Sequence, residues 1–307
     1  MSNMIKLSDK LSLSKNIVDV NKGSSSKKHT LWSKTQIIAG YGLHKNEQGI
    51  SELDEVVFET ENMVPIGGVQ YAMEMIYGVK GPLTIPTLNS KGIGAQNSEI
   101  VPEGENPYPY GQRVCLFGVG CNGATENNLT VKNVKYNEFE LNEMIPFRFT
   151  NDPLTESESE KYFGIKDIPV GESNLDGSIR AYYLKRFEVD VLTNTDSRIY
   201  HRFEDGIEGE DGSEVGNSIF ENTGNEMGIE SYTEVTLTVD KKDVREWFDY
   251  NGKIEMSRVN EIGLFTAIWD NKLKDYANIQ LFSKLNIPTE PLSLTKDLVI
   301  LYRTYGA

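Results

Sequence analysis

The C-terminal quarter of this chain alternates. In SYTEVTLTVD, Val235, Leu237 and Val239 fall on one face and Thr236 and Thr238 on the other. In DLVILYRTYGA, Leu298, Ile300, Tyr302 and Thr304 form one stripe beside Val299, Leu301, Arg303 and Tyr305. EIGLFTAIWD and NIQLFSKLNIP lie between them. A two-residue period is the mark of a pleated, half-buried strand. The chain therefore ends strand after strand, its last residues inside a strand pattern.

The same reading extends upstream. LWSKTQIIAGYGL and DEVVFETENMVPIGG carry strand character, the second closing in a turn. GGVQYAMEMIYGV is the clearest helix: Val69, Ala72, Met73 and Ile76 stand at i, i+3, i+4 and i+7, and Gly78 suits the position after the helix. Its Met-rich stripe reads as core packing. Pro102, Pro107 and Pro109 make a long loop within 80–111. RVCLFGVG, the stretch around NEMIPFRFT, and RAYYLKRFEVDVLTN return to strands. Thr155 stands three residues before Glu158, a capping-box spacing that predicts a short helix over 155–163. KKDVREWFDYNG predicts another, with Val244, Trp247 and Phe248 on one side. Residues 200–230 are acidic and Gly-rich, reading as a long exposed loop or hairpin tip. The expected fold is mainly β: an antiparallel β-sandwich body over 31–307 with one or two short helices, long loops and an extended N-terminal arm.

Charge sharpens the picture at the N-terminus. The 307 residues carry a net charge of −15, yet residues 1–30 hold six Lys against two Asp, hence +4, which leaves −19 for the remainder. NKGSSSKKHT within that arm has a linker composition. Residues 1–30 thus read as a flexible basic arm on an acidic body. An acidic body does not favour nucleic acid, because phosphate binding needs clustered Lys and Arg. Only the arm could touch it. The arm could more simply dock on an acidic face of a neighbouring copy, and a solvated tail fits its composition at least as well as either contact. Hydrophobic residues make up 38% and mean hydropathy is −0.43, which suits a polar protein with long loops. No run approaches the roughly 18 apolar residues of a membrane span. MSNMIKLSDKLSLSKN lacks an uninterrupted apolar signal region, so cytoplasmic synthesis is expected.

The candidate chemistry is thin. GVGCNG at Gly118–Gly123 has the letters of a dinucleotide fingerprint, but ATENNLTVKNV follows it and has no helical stripe. A tight turn at a strand end is expected instead. Cys115 and Cys121 read as reduced thiols, because a metal site would need two more ligands and His29, His44 and His201 are remote in sequence. Asp205, Glu208, Glu210, Asp211 and Glu214 lack the alternation of a calcium loop. Asn128-Leu129-Thr130 spells a sequon without a secretion signal. None of the 46 acidic residues is placed by its neighbours in an apolar setting that would raise its pKa. The sequence names no catalytic, cofactor-binding or metal residue, and no enzyme or cofactor is expected.

DEVVFETENMVPIGGVQYAMEMIYGV, VCLFGVGCNG, NEMIPFRF, and above all NEIGLFTA with QLFSKLNIP and the terminal DLVILYRTYGA, together resemble virion structural proteins of large tailed bacteriophages. An E-x-G-L-F strand, a strand ending near a Pro and a closing C-terminal strand recur in that family. The resemblance spans about two thirds of the chain and rests on structural motifs. It implies a non-enzymatic building block in the virion, most naturally in the neck, head–tail connector or tail-completion region. Its partners would be copies of itself in a ring or lattice and other virion proteins: portal, connector, tail or capsid. Two alternatives remain. One is a capsid decoration or head protein of the same virion. The other is a carbohydrate- or receptor-binding tail-fibre module using Tyr108, Tyr110 and Trp269. An enzyme would require a pocket holding two of Asp205, Glu210 and His201.

Overall fold

The computed structural model describes residues 35–45, 51–61, 64–77, 83–95, 112–125, 130–170, 177–187, 197–204 and 228–306. In chain order the elements are β1 (Thr35–Lys45), β2 (Ser51–Glu61), α1 (Ile66–Tyr77), β3 (Arg113–Gly120), β4 (Met144–Ile145), β5 (Arg148–Thr150), α2 (Glu156–Ser159), β6 (Tyr162–Pro169), β7 (Ser178–Arg186), β8 (Ser197–Glu204), β9 (Gly228–Val239), α3 (Arg245–Tyr250), β10 (Arg258–Asp270), β11 (Asp275–Pro291) and β12 (Leu298–Gly306). The fold is mainly β with antiparallel sheets and short helices, as the two-residue periods predict. The expected arm at 1–30, the Pro-rich loop around Tyr108 and Tyr110, and the acidic stretch 205–227 lie outside the described residues. The strands flanking that stretch, β8 and β9, pair antiparallel from Ser197↔Val235 to Glu204↔Gly228.

The chain divides into two compact units. One gathers the described parts of 1–62, 189–237 and 299–307; the other gathers those of 63–188 and 238–298.

The first unit is built on a five-stranded sheet ordered β2-β1-β12-β9-β8. The closing strand was expected to bury one stripe, yet Val299, Ile300, Leu301 and Tyr302 are all buried. The β1–β2 hairpin supplies the reason. Arg303 lies opposite Gln36 in the β1–β12 ladder. Its guanidinium nevertheless donates to the carbonyl of Ser51 at 2.8 Å, and Ser51 pairs with Lys45 at the other end of β1. At about 3.3 Å per residue a straight strand would hold those ends roughly 30 Å apart. The hairpin therefore curls back over its own sheet. The curl coincides with a register shift at Ala39/Gly40 and with Gly42 at φ 76, a conformation that favours glycine. It lays Ser51 over the face shared by Arg303, Leu301 and Val299.

The second unit holds the seven-stranded sheet, with β11-β10-β3-β7-β5 in sequence, β4 on β3 and β6 on β7. Its core includes Leu116, Phe163, Leu184, Phe265, Ile279 and Leu281. Helix α1 lies against β11: a Cβ on Gly68 would fall 1.8 Å from the carbonyl of Phe282, so only glycine permits this approach. The Tyr71 hydroxyl donates to the Gln112 carbonyl at 2.7 Å. Helix α2 is shorter than the spacing predicts. Thr155 N–H donates to Glu158 Oε2 at 3.0 Å, as the capping box requires, but the helix ends at Ser159. Tyr162 and Phe163 are buried in β6, where Tyr162 pairs with Lys185. Burial of two aromatics outweighs four more residues of an exposed helix. In α3, Phe248 is buried and Trp247 packs edge-on against Phe149 at 5.1 Å, while Val244 precedes the helix and donates its N–H to the Phe147 carbonyl.

Candidate functional site

The buried charges of the second unit were invisible in the sequence, and they organise backbone. Glu261 on β10 is fully buried. Its Oε1 accepts the N–H of Asn142 at 2.9 Å, and its Oε2 those of Glu143 at 3.1 Å and Asn122 at 3.3 Å. Lys284 on β11, also fully buried, places its ammonium 3.2 Å from Glu261 Oε1 and 2.5 Å from Glu138 Oε2. Neighbouring Asn260 accepts the Gly123 N–H at 2.6 Å. Gly118–Gly120 of the GVGCNG segment are thus the end of β3, and Cys121–Gly123 turn around a carboxylate. A Cβ on Gly123 would lie 2.0 Å from the Asn260 carbonyl, which explains the final glycine without any phosphate.

Three further clusters follow the same logic. Lys185 on β7 donates to Asp243 Oδ2 at 2.8 Å and to the Thr238 carbonyl at 2.7 Å. The Tyr162 hydroxyl donates to Asp243 Oδ1 at 2.6 Å. Arg148 on β5 donates through both Nε and Nη2 to Glu246 on α3, each at 3.0 Å, and reaches Glu158 with Nη1 at 2.5 Å. Asp275 at the start of β11 accepts the N–H groups of Gly164, Ile165 and Tyr276.

These positions correct one expectation. Burial pushes the carboxyls of Asp243 and Asp275 above their ordinary range, opposed by the Lys185 ammonium at Asp243 and by backbone N–H groups at Asp275. Sequence context misled because the enclosing groups come from afar: Asp243 sits beside Lys241 and Lys242, but Tyr162 and Lys185 bury it. Each of these carboxylates faces a structural donor set, and the chemistry on view is positioning of loops and strand ends.

The residues singled out by sequence are scattered. Cys115 is buried and Cys121 half-buried, and both are free thiols. Burial, then the Glu143 carboxylate, pushes Cys121 up to about 12; burial pushes Cys115 up to about 11. Among the described residues no group of three His, Cys, Asp or Glu side chains could hold a metal ion. Trp269 is 38% exposed near the β10–β11 turn, edge-on to Tyr276 at 5.1 Å and to Phe163 at 5.7 Å. His201 lies in β8, while Asp205, Glu210, Tyr108, Tyr110 and Asn128 lie outside the described residues. His44 stands 3.1 Å from Asp54 Oδ1 and 3.6 Å from Glu52 Oε2.

Among the described residues, the β2 end of the first unit's sheet presents a run of acidic side chains. Among the described residues β2 pairs on one side only, with β1. Its sequence SELDEVVFETE contains Glu52, Asp54, Glu55, Glu59 and Glu61 and no Lys or Arg. Glu52, Asp54, Glu55 and Glu59 are exposed, as are Val56 at 54% and Val57 at 36%. The run of carboxylates was legible in the sequence. Its place at a sheet edge was not. Comparison with protein-family models, with curated proteins and with solved structures gives no match.

Proposed function

We propose that this chain is a non-enzymatic structural component that works by assembling with copies of itself. On the resemblance carried by its strand motifs, the assembly is the virion of a tailed bacteriophage, at the neck, head–tail connector or tail-completion region. The observation that carries the assembly reading is the eleven-residue strand β2, which among the described residues ends its sheet and exposes Val56 and Val57. An open edge is a ready template for another chain, and soluble proteins ordinarily blunt or cover such edges. The carboxylates of β2 keep the edge soluble until a complementary partner arrives.

Quantitative mass spectrometry of purified particles from the source that encodes this chain tests the reading. The expected result is a fixed multiple of copies per particle, with antibody label at one vertex. Label over the whole shell would favour a capsid decoration protein, and absence from purified particles would refute the virion assignment. A sugar-binding module is the second reading, favoured by the partly exposed indole of Trp269. Glycan-array binding lost in Trp269→Ala would support it.

A further inference from the structure

We propose that Asn251 is a site of spontaneous covalent modification: its side chain closes on the Gly252 backbone nitrogen, sheds ammonia and reopens as aspartate or isoaspartate, while the fold protects the other Asn-Gly step of the chain. The proposal is independent of the assembly reading above.

Asparagine is a thermolabile residue. A following glycine leaves it most open to this reaction, because no Cβ crowds the attacking nitrogen or restricts the backbone. The chain spells Asn-Gly twice, at Asn122-Gly123 and at Asn251-Gly252. Their surroundings separate them.

The reaction balances without any added reagent but water. The Gly252 nitrogen gives up its proton and bonds to Asn251 Cγ. The bond from Cγ to Nδ2 breaks, and that nitrogen leaves as ammonia with the proton. Water then opens the cyclic imide at either carbonyl. Opening at Cγ yields aspartate. Opening at the main-chain carbonyl yields isoaspartate, in which the backbone runs through the former side chain.

At Asn122 the parts of this reaction are held apart. Gly123 is buried, and its N–H donates to Asn260 Oδ1 at 2.6 Å. Freeing that nitrogen would strand a buried acceptor. The Lys132 ammonium donates to Asn122 Oδ1 and, at 2.9 Å, to the Asn122 carbonyl. A Cβ on Gly123 would stand 2.0 Å from the Asn260 carbonyl, so the longer backbone of isoaspartate has no room.

At Asn251 the turn faces water. Asn251, Gly252 and Lys253 are exposed, and nothing lies within 4 Å of a Cβ built on Gly252. The Gly252 N–H donates to the Asp249 carbonyl at 2.8 Å, and Asn251 Nδ2 to the Trp247 carbonyl at 2.7 Å. Both bonds close the C-terminal end of α3, a helix of six residues. Water replaces them when that end frays, and fraying a terminus costs far less than opening a core.

The fold would register the product. A carboxylate cannot donate to the Trp247 carbonyl. It also adds negative charge at a helix C-terminus, where that sign is unfavourable. The end of α3 should loosen, and with it the packing of Trp247 and Tyr250 on Phe149, whose ring centroids lie 5.1 and 5.0 Å away.

The test uses the full-length native chain, held for days in warm, mildly alkaline buffer made with H₂¹⁸O and then digested in ordinary water. The water that opens the imide marks the new carboxyl group. The expected result is ¹⁸O at residue 251, gained at least about tenfold faster than at residue 122, the difference between opening a terminus and opening a core. Isoaspartate methyltransferase should methylate the same peptide, and Asn251→Gln should remove both signals. In urea the two Asn-Gly steps should label at similar rates. A native chain without label at 251 would overturn the proposal, and so would equal labelling of the two steps. A lag at Asn122 that persists in urea would trace the difference to local sequence and overturn it as well.

Discussion

Lys284 Nζ stands 3.2 Å from Glu261 Oε1, and neither side chain has any solvent exposure. The pair sits on the two longest strands of its sheet, where Gly263 rather than Glu261 lies opposite Lys284. Removing the cation leaves a buried carboxylate held by backbone N–H groups alone. Lys284→Met should therefore cost about 3–5 kcal/mol. Urea unfolding measures it, and the double variant with Glu261→Gln should cost less than the two single changes added together. Strict additivity would show that the two groups do not act on each other.

Gly68 sets helix propensity against packing. In an exposed helix Gly→Ala stabilises by about 1 kcal/mol. Here the added Cβ would stand 1.8 Å from the Phe282 carbonyl. Gly68→Ala should destabilise by about 1–3 kcal/mol, the usual cost of forcing atoms into a packed interface. At Gly67 the nearest atom is 3.3 Å away, so Gly67→Ala should cost less. A gain in the urea midpoint of Gly68→Ala would refute the close approach of α1 to β11.

Acid should loosen the second unit through Glu158. Hydrogen bonding from Lys242, then from the Thr155 N–H, pulls this carboxyl from 4.5 down to about 2. A carboxyl depressed in the folded state adds stability above its unfolded pKa, and that stability disappears as pH falls through the folded value. The wild-type urea midpoint should thus fall more steeply between pH 4.5 and 2 than that of Glu158→Gln. Parallel slopes would mean that Glu158 titrates alike in both states.

The two thiols should be silent in the folded protein. Only the thiolate attacks, and burial holds Cys115 at about 11 and Cys121 at about 12. A disulfide reagent at pH 8 should label neither in native protein and both in urea. Rapid labelling of Cys121 without denaturant would contradict its environment.

Local pattern made much of this fold legible. The alternation at Val235, Leu237 and Val239 marks β9, and all three are buried. The spacing of Val69 and Ala72 marks α1, and Thr155 with Glu158 marks the start of α2. The missing helix after GVGCNG pointed to a turn, and the chain turns there. The end of α2 was not legible, because the claim of β7 on Tyr162 lies in residues more than twenty positions away.

The sequence by itself determined most of the strands, though not β6 or β8, where the main helix lies and how charge divides between the N-terminus and the rest, because each follows from periodicity or composition within a short window. Tertiary structure alone decided that Glu261 meets Lys284, that Asp243 lies beneath Tyr162, that Arg303 reaches Ser51 across a curled hairpin, and that the acidic strand stands at a sheet edge. Those outcomes depend on which strands become neighbours and in what register. Register is set by the summed packing of residues far apart in the chain, and no local pattern contains it.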